Sequence, residues 1–165
     1  MEPQAIFHAI ENYGLLIVFF VVLLEYLNLP GFPAGVILPF AGAWSARHSD
    51  FFIAFLVTVI AGLIGSIALY YLGRFGGEKL IRLFTGKSPK LKAKIDQLNH
   101  KIEHKGAYAV FISKLLPIVR TLIGIPAGAF RMNLMQYVVA STLGIVIWNG
   151  VLFGFGYFLG GGFTV

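Results

Sequence analysis

Three ionisable side chains stand in stretches that are otherwise apolar. Lys114 and Arg120 interrupt FISKLLPIVRTLIGIPAG, residues 111–128, with Pro117 midway between them, and Glu25 interrupts GLLIVFFVVLLEYLNL, residues 14–29. A charge at bilayer depth costs roughly 2.5–3.5 kcal/mol on insertion scales, so such residues mark substrate paths, proton relays or counter-ions by default. Pro117 and Pro126 each remove a backbone donor and disfavour one unbroken helix through this stretch. A broken apolar segment carrying cations is tolerated only where it faces protein or a wet cavity. The chemistry on offer is anion binding by two cations, with proton exchange or charge neutralisation by one acid.

Other chemistries find little support. Ser113 and Thr121 flank the cations, but nothing in the sequence activates either as a nucleophile. His8, His48, His100 and His104 fall in interfacial or loop stretches without an accompanying set of acids, so no metal site is expected. There is no phosphate-cradling loop, no dinucleotide fingerprint and no cysteine, which excludes thiol and disulfide chemistry. The expectation is a protein that is not an enzyme and holds no cofactor.

The elements that must position the three charges are membrane elements. Of 165 residues, 58% are hydrophobic and 12% charged, about half the charged fraction of a soluble domain, and the mean hydropathy is +0.82. Residues 51–73 and 134–162 carry no charge and are each long enough to span a bilayer. Residues 74–105 hold nine Lys/Arg against three acids, while the rest of the chain holds four of each. The positive-inside rule places this loop in the cytoplasm. A nucleic-acid patch is the rival reading of such a run, set aside because the run lies between spans.

Taken in order, residues 2–12 read as a short interfacial helix. Residues 14–29 and 34–46 read as two apolar arms around the elbow Pro30-Gly31-Phe32-Pro33, a re-entrant hairpin, with a plain transmembrane helix as the alternative for the first arm. The span 51–73 follows, with Gly62, Gly65 and Ser66 suited to close helix packing. In residues 90–106, Leu91, Ile95, Leu98 and Ile102 recur at helical spacing, an amphipathic helix whose lysines meet anionic lipid heads. A second hairpin has arms at 107–116 and 121–130 and an elbow from Pro117 to Arg120, with Pro126 and Gly128 closing it, and a last span covers 134–162.

The halves resemble each other. Glu11, Gly14 and Phe19 recur as Glu103, Gly106 and Phe111. Ala41-Gly42 recurs as Ala127-Gly128, and Tyr70-x-Leu72-Gly73 as Tyr157-x-Leu159-Gly160. With 74–105 inside, the two hairpins dip in from opposite faces. The expected fold is therefore all-α and polytopic: an inverted repeat of interfacial helix, re-entrant hairpin and transmembrane helix, with repeat 1 at about 2–75, a basic linker at 74–105 and repeat 2 at about 90–162, in a single membrane domain over 1–165. Discontinuous helices meeting near the midplane are the physical pattern of transporters, which would set Glu25 across a cavity from Lys114 and Arg120.

At these residues the chain resembles the DedA family of VTT, or SNARE-associated, domain proteins. The resemblance rests on Glu25 before the Pro-Gly-x-Pro elbow, Ala41-Gly42, the stretch from Gly62 to Gly73 with Tyr70, and Phe111-x-x-Lys114-x-x-Pro117-x-x-Arg120 leading to Pro126-Ala127-Gly128. It implies a bacterial inner-membrane protein that moves lipid between leaflets, with undecaprenyl phosphate or phosphatidylethanolamine as substrate and protons as the coupling ion. It also implies that Glu25, Lys114 and Arg120 carry the activity.

Two departures matter. The family's first cation is usually Arg where this chain has Lys114, which keeps the charge and loses the bidentate fork. A second acid common in the family is missing, since Pro33-Ala34-Gly35 stands in its place. Arg120 and Lys114 then either bind a lipid phosphate or neutralise Glu25, and Lys114 has snorkelling as a further alternative. Glu25 is either proton carrier or counter-ion. A phosphomonoester suits concentrated positive charge, so undecaprenyl phosphate is the first substrate expected. A phospholipid translocase or scramblase, a proton-coupled small-ion transporter and a non-transporting scaffold are the alternatives. Gly150-x-x-x-Gly154 offers a close-packing face, either within the chain or in a homodimer.

Overall fold

A computed structural model describes residues 3–27, 35–48, 51–85, 93, 106–117 and 119–162. The described residues form helices joined by short turns. These are α1 (Pro3–Tyr26), α2 (Ile37–His48), α3 (Phe51–Thr85), α4 (106–114), α5 (Val119–Leu122), α6 (Gly124–Ala129) and α7 (Leu134–Gly162). The chain is an all-α membrane protein. Phe51–Gly76 and Leu134–Gly161 are long and apolar enough to cross a bilayer. They also leave large apolar side chains such as Phe52, Leu56, Val151 and Phe158 exposed, surface that suits hydrocarbon rather than water.

Three boundaries differ from the sequence expectation. The interfacial helix and first arm are one helix, α1, with no break at residue 13. Gly14 is accommodated because it lies under the ring of Trp44, where a β-carbon would collide. The first twelve residues of the basic loop continue α3 as far as Thr85, since a helix leaving the membrane already satisfies its own backbone and needs no break. Pro39 does not interrupt α2, because it sits in the first turn, where its missing N–H costs no bond. Pro30, Pro33 and nearly all of the amphipathic segment 90–106 lie outside the described residues.

The chain divides into two compact units, Met1–Gly62 with Asn149–Val165, and Leu63–Trp148. In the first, α2 lies on the second half of α7. A β-carbon on Gly42 would strike the carbonyl of Phe153, and one on Gly156 would strike the carbonyl of Pro39. Ala41, Ala54 and Phe153 form the core there, with Phe51 and Phe55 packed against them, and the Phe51 ring meets Phe153 edge-on at 5.4 Å.

In the second unit, α6 lies on α3. A β-carbon on Gly128 would strike the carbonyl of Tyr70, and one on Gly73 the carbonyl of Ile125. Two glycines facing each other's backbone allow the helices to approach more closely than any side chain permits. The core joins Tyr70, Val110, Ile123, Ala127 and Tyr137. After α6 the chain closes a paired C-terminal cap, with Met132 N–H on Ala127 O at 3.0 Å and Arg131 N–H on Gly128 O at 2.9 Å. Arg131 takes the left-handed position at φ 52 that such a cap requires. Asn133 Oδ1 then accepts the N–H groups of Met135 at 2.9 Å and Gln136 at 3.2 Å, capping α7.

Candidate functional site

Helix α4 stops at Lys114 because Pro117 has no N–H and disfavours helical geometry at Leu116. Its last turn tightens, with Leu115 N–H on Ile112 O at 3.1 Å and Leu116 N–H on Ser113 O at 3.2 Å. The helix then restarts, and Val119 and Arg120 both donate to Leu116 O, at 3.2 and 3.0 Å. The bend is thus at residues 115–117. Arg120 is not in the elbow but inside α5, and Lys114 closes the preceding arm. Pro126 and Gly128, expected at a bend, stand within α6. Pro126 denies a donor to the Leu122 carbonyl, which separates α5 from α6, and Gly128 supplies the close contact with α3.

Both cations are buried, Lys114 at 1% exposure and Arg120 at 0%. Lys114 Nζ donates to Ser66 Oγ at 2.8 Å and lies 5.8 Å from the centroid of the Tyr137 ring. The Tyr137 hydroxyl donates to the Ser66 carbonyl at 3.0 Å, so Tyr137 and Lys114 both hold on to one residue of α3. The Lys114 stem passes over Gly144 of α7, where a β-carbon would overlap Lys114 Cβ. The Tyr137 ring stacks on Tyr70 at 4.9 Å. The Tyr70 hydroxyl donates to the Met132 carbonyl and accepts from Arg74 Nη1 at 2.9 Å. Arg120 presents its guanidinium 5.3 Å from the Trp148 ring centroid.

A hydrogen bond to a charged group is worth about 1.5–3 kcal/mol and a cation–π contact about 0.5–2 kcal/mol. That is the same order as the insertion cost of each cation. An anion brought to them would add an attraction that grows as the local dielectric falls.

Glu25 belongs to the first unit, near the end of α1, at 3% exposure. Beside it the Tyr26 hydroxyl donates to Asn149 Oδ1 at 2.8 Å. The Asn149 amide in turn donates to Thr58 O at 3.2 Å and Thr58 Oγ1 at 3.3 Å. This is a buried polar cluster on an acid-bearing helix. The second unit gathers Lys114 with Ser66 and Tyr137, and Arg120 with Trp148. Among the described residues no three His, Cys, Asp or Glu side chains come together as a metal site would need.

Sequence reasoning missed Ser66, Tyr137 and Trp148 as site residues. Ser66 reads as one more small packing residue, and an aromatic in an apolar span reads equally well as an interfacial anchor. Gly144 carried no signal at all, since a glycine's neighbour lies on another helix.

Residues 32–158 match the VTT domain as a family. The chain belongs to the VTT-domain family. The DedA resemblance read from its motifs agrees with the relatives of this VTT protein. It is 38% identical over 151 residues to undecaprenyl phosphate transporter A of Staphylococcus aureus, covering 88% of this chain and 74% of that one. It is 32% identical over 163 residues to the alkaline phosphatase-like protein of Lactococcus lactis subsp. cremoris, covering 95% and 76%. It is 28% identical over 136 residues to protein DedA of Escherichia coli K12, covering 79% and 61%. No solved structure matches it.

Proposed function

We propose that this VTT protein transports a phosphate-bearing lipid, undecaprenyl phosphate, between the leaflets of a bacterial inner membrane. The observation that carries the reading is the pair of fully buried cations, Lys114 and Arg120, on either side of the helix break at 115–117 in an apolar domain. A phosphate needs concentrated positive charge and hydrogen-bond donors, and its prenyl chain needs bilayer. The name of the S. aureus relative points the same way. Glu25 is the proton-coupling or counter-ion group in this proposal, with the basic segment 74–105 in the cytoplasm.

The reciprocal glycine contacts support an internal inverted repeat with re-entrant hairpins. Gly42 with Gly156 in one unit, and Gly128 with Gly73 in the other, make the same carbonyl contacts three residues apart on each side. The sequence echo pairs Gly73 with Gly160 instead, one helical turn further on, and Gly160 packs on Ala43. A homodimer belongs to the same proposal as an open element. Gly150 is in van der Waals reach of Phe55, while Gly154 has nothing within 4 Å. Cross-linking of a Gly154→Cys variant, in a chain without native cysteine, tests it.

The deciding experiment is leaflet exchange of labelled undecaprenyl phosphate and phosphatidylethanolamine in proteoliposomes, with and without a pH gradient. Wild type is run beside Arg120→Ala and Glu25→Gln. Exchange of the prenyl phosphate that both substitutions abolish supports the transport reading. Gradient sensitivity lost only in Glu25→Gln assigns that residue the proton. Folded protein that exchanges neither lipid overturns the reading in favour of ion transport or a scaffold, and release of inorganic phosphate would favour hydrolysis.

A further inference from the structure

A groove of about 410 Å³ runs between α4 and the first half of α7. Its walls are Ala107 and Phe111 on one side and Met135, Val139, Ala140 and Leu143 on the other, with Gln136 the polar residue of the lining. We propose that this groove holds part of the prenyl chain of the lipid whose phosphate Lys114 and Arg120 take, and that the α4–α7 seam is where that lipid enters from the bilayer. The inference rests on the transport reading and adds to it a chain-binding site and a route.

Three observations converge. The groove is apolar and open outward, since Tyr108, Met135, Val139 and Leu143 on its rim are all more than half exposed. In a membrane that opening faces acyl chains. Its size falls within the range of about 300–1,000 Å³ typical of small-molecule sites. A packed helix, about 10–12 Å across with its side chains, needs a longer face.

Its inner end adjoins the cation. Phe111 lies one turn before Lys114, and Leu143 precedes Gly144, on which the Lys114 stem rests. A chain seated in the groove therefore ends against the residue that holds the phosphate.

The seam is also narrowly held. Gly144 is in contact with Lys114 Cβ and lies near the Phe111 carbonyl. Beyond that point the facing residues Ala107 and Ala140 are too small to interlock. Because Lys114 and Arg120 are buried, a phosphate reaches them only when elements part, and the groove marks the place along α4 and α7 where the packing is already open.

The test compares two probes in proteoliposomes of the wild-type protein: a polyprenyl phosphate bearing a diazirine in its chain, and the polyprenol of the same chain without phosphate. Adducts are mapped by peptide mass spectrometry. The phosphate lipid is expected to label 107–111 and 135–143 on the order of tenfold more than the alcohol, the factor that one charge-assisted contact supplies. Lys114→Ala should bring the two probes level. Val139→Trp, which fills the groove from its exposed rim, should remove the adducts while a folded protein retains its thermal transition.

Equal labelling by both probes, or adducts spread evenly over exposed positions such as Phe52 and Phe158, would show ordinary annular lipid and overturn the proposal. Preferential labelling by a diazirine-bearing diacyl phosphatidic acid would overturn the prenyl assignment. If exchange depends on Arg120 while groove labelling ignores the phosphate, the groove fails and transport stands. If groove labelling needs the phosphate while no exchange occurs, transport fails and the groove stands as a lipid site.

Discussion

Gly144 offers a prediction whose sign can be worked out before the experiment. Replacing glycine by alanine inside a helix gains about 0.8–1 kcal/mol of helix propensity wherever the β-carbon meets nothing. At Gly154, on the same helix, nothing lies within 4 Å of that β-carbon, so Gly154→Ala should be stabilising by roughly this amount. At Gly144 the β-carbon overlaps Lys114 Cβ, comes within 3.1 Å of Lys114 Cγ and lies 3.3 Å from the Phe111 carbonyl. The obstruction is a helix-borne stem and backbone, neither of which swings aside as a flexible chain end would. Overpacking of this kind costs about 1–3 kcal/mol. The net effect of Gly144→Ala is then between neutral and about 2 kcal/mol destabilising, and the two variants should differ by about 1–3 kcal/mol.

For a chain of this size each kcal/mol is worth about 2–4 °C in Tm, so the pair should separate by several degrees in detergent. Emission from Trp44 and Trp148 can report the transition. Lys114→Ala keeps the offending β-carbon, so combining it with Gly144→Ala should give no relief, whereas Lys114→Gly should. Equal Tm shifts at Gly144 and Gly154, or full relief by Lys114→Ala, would refute the packing argument. Leaflet exchange should fall in Gly144→Ala, because displacing the stem moves the ammonium from Ser66.

Ser66→Ala removes the 2.8 Å acceptor of Lys114 Nζ and should cost about 1–3 kcal/mol, with exchange reduced and Ser66→Thr closer to wild type, both read from Tm and exchange rate. Tyr26→Phe takes the donor from Asn149 Oδ1 and should cost about 0.5–1.5 kcal/mol. Because Tyr26 neighbours Glu25, any dependence of exchange on a pH gradient should shift with it, which a gradient titration measures. Gly35→Asp places an acid where the family resemblance implies one and this chain has none, but Gly35 has φ +94, a conformation costing a side chain about 1–3 kcal/mol. The variant should lower Tm without adding gradient sensitivity, and a gain in gradient-driven exchange would show that the missing acid matters more than the backbone.

What the sequence made legible was what depends on transfer free energy and backbone chemistry. Residues 51–73 and 134–162 declared themselves by apolar length, and Lys114 and Arg120 by the cost of placing charge among such residues. Pro117 marked a break because a missing N–H acts locally. What stayed hidden depends on a second helix. Pro39 and Pro126 look alike in the sequence, yet Pro39 falls in the first turn of α2 and breaks nothing while Pro126 parts α5 from α6, and a proline's effect depends on where the helix begins. Gly14, Gly42 and Gly128 read as echoes between the halves and Gly144 carried no signal, although each is fixed by one partner: Trp44, Phe153, Tyr70 and Lys114 in turn.

The two views meet in the proposed repeat. Sequence echoes match Gly73 to Gly160, whereas the contacts, Gly73 on Ile125 and Gly156 on Pro39, make Gly156 its counterpart. Close packing of two helices requires a glycine every turn or so, not at one fixed letter. If the halves are a repeat as proposed, a segment can drift by one turn and keep its contact, because four residues restore nearly the same face of a helix. The charges have no such freedom, since moving Lys114 by a residue would carry it off Gly144 and away from Ser66. Sequence comparison should accordingly be dependable for the cations and loose by a turn for the glycines that hold them in place.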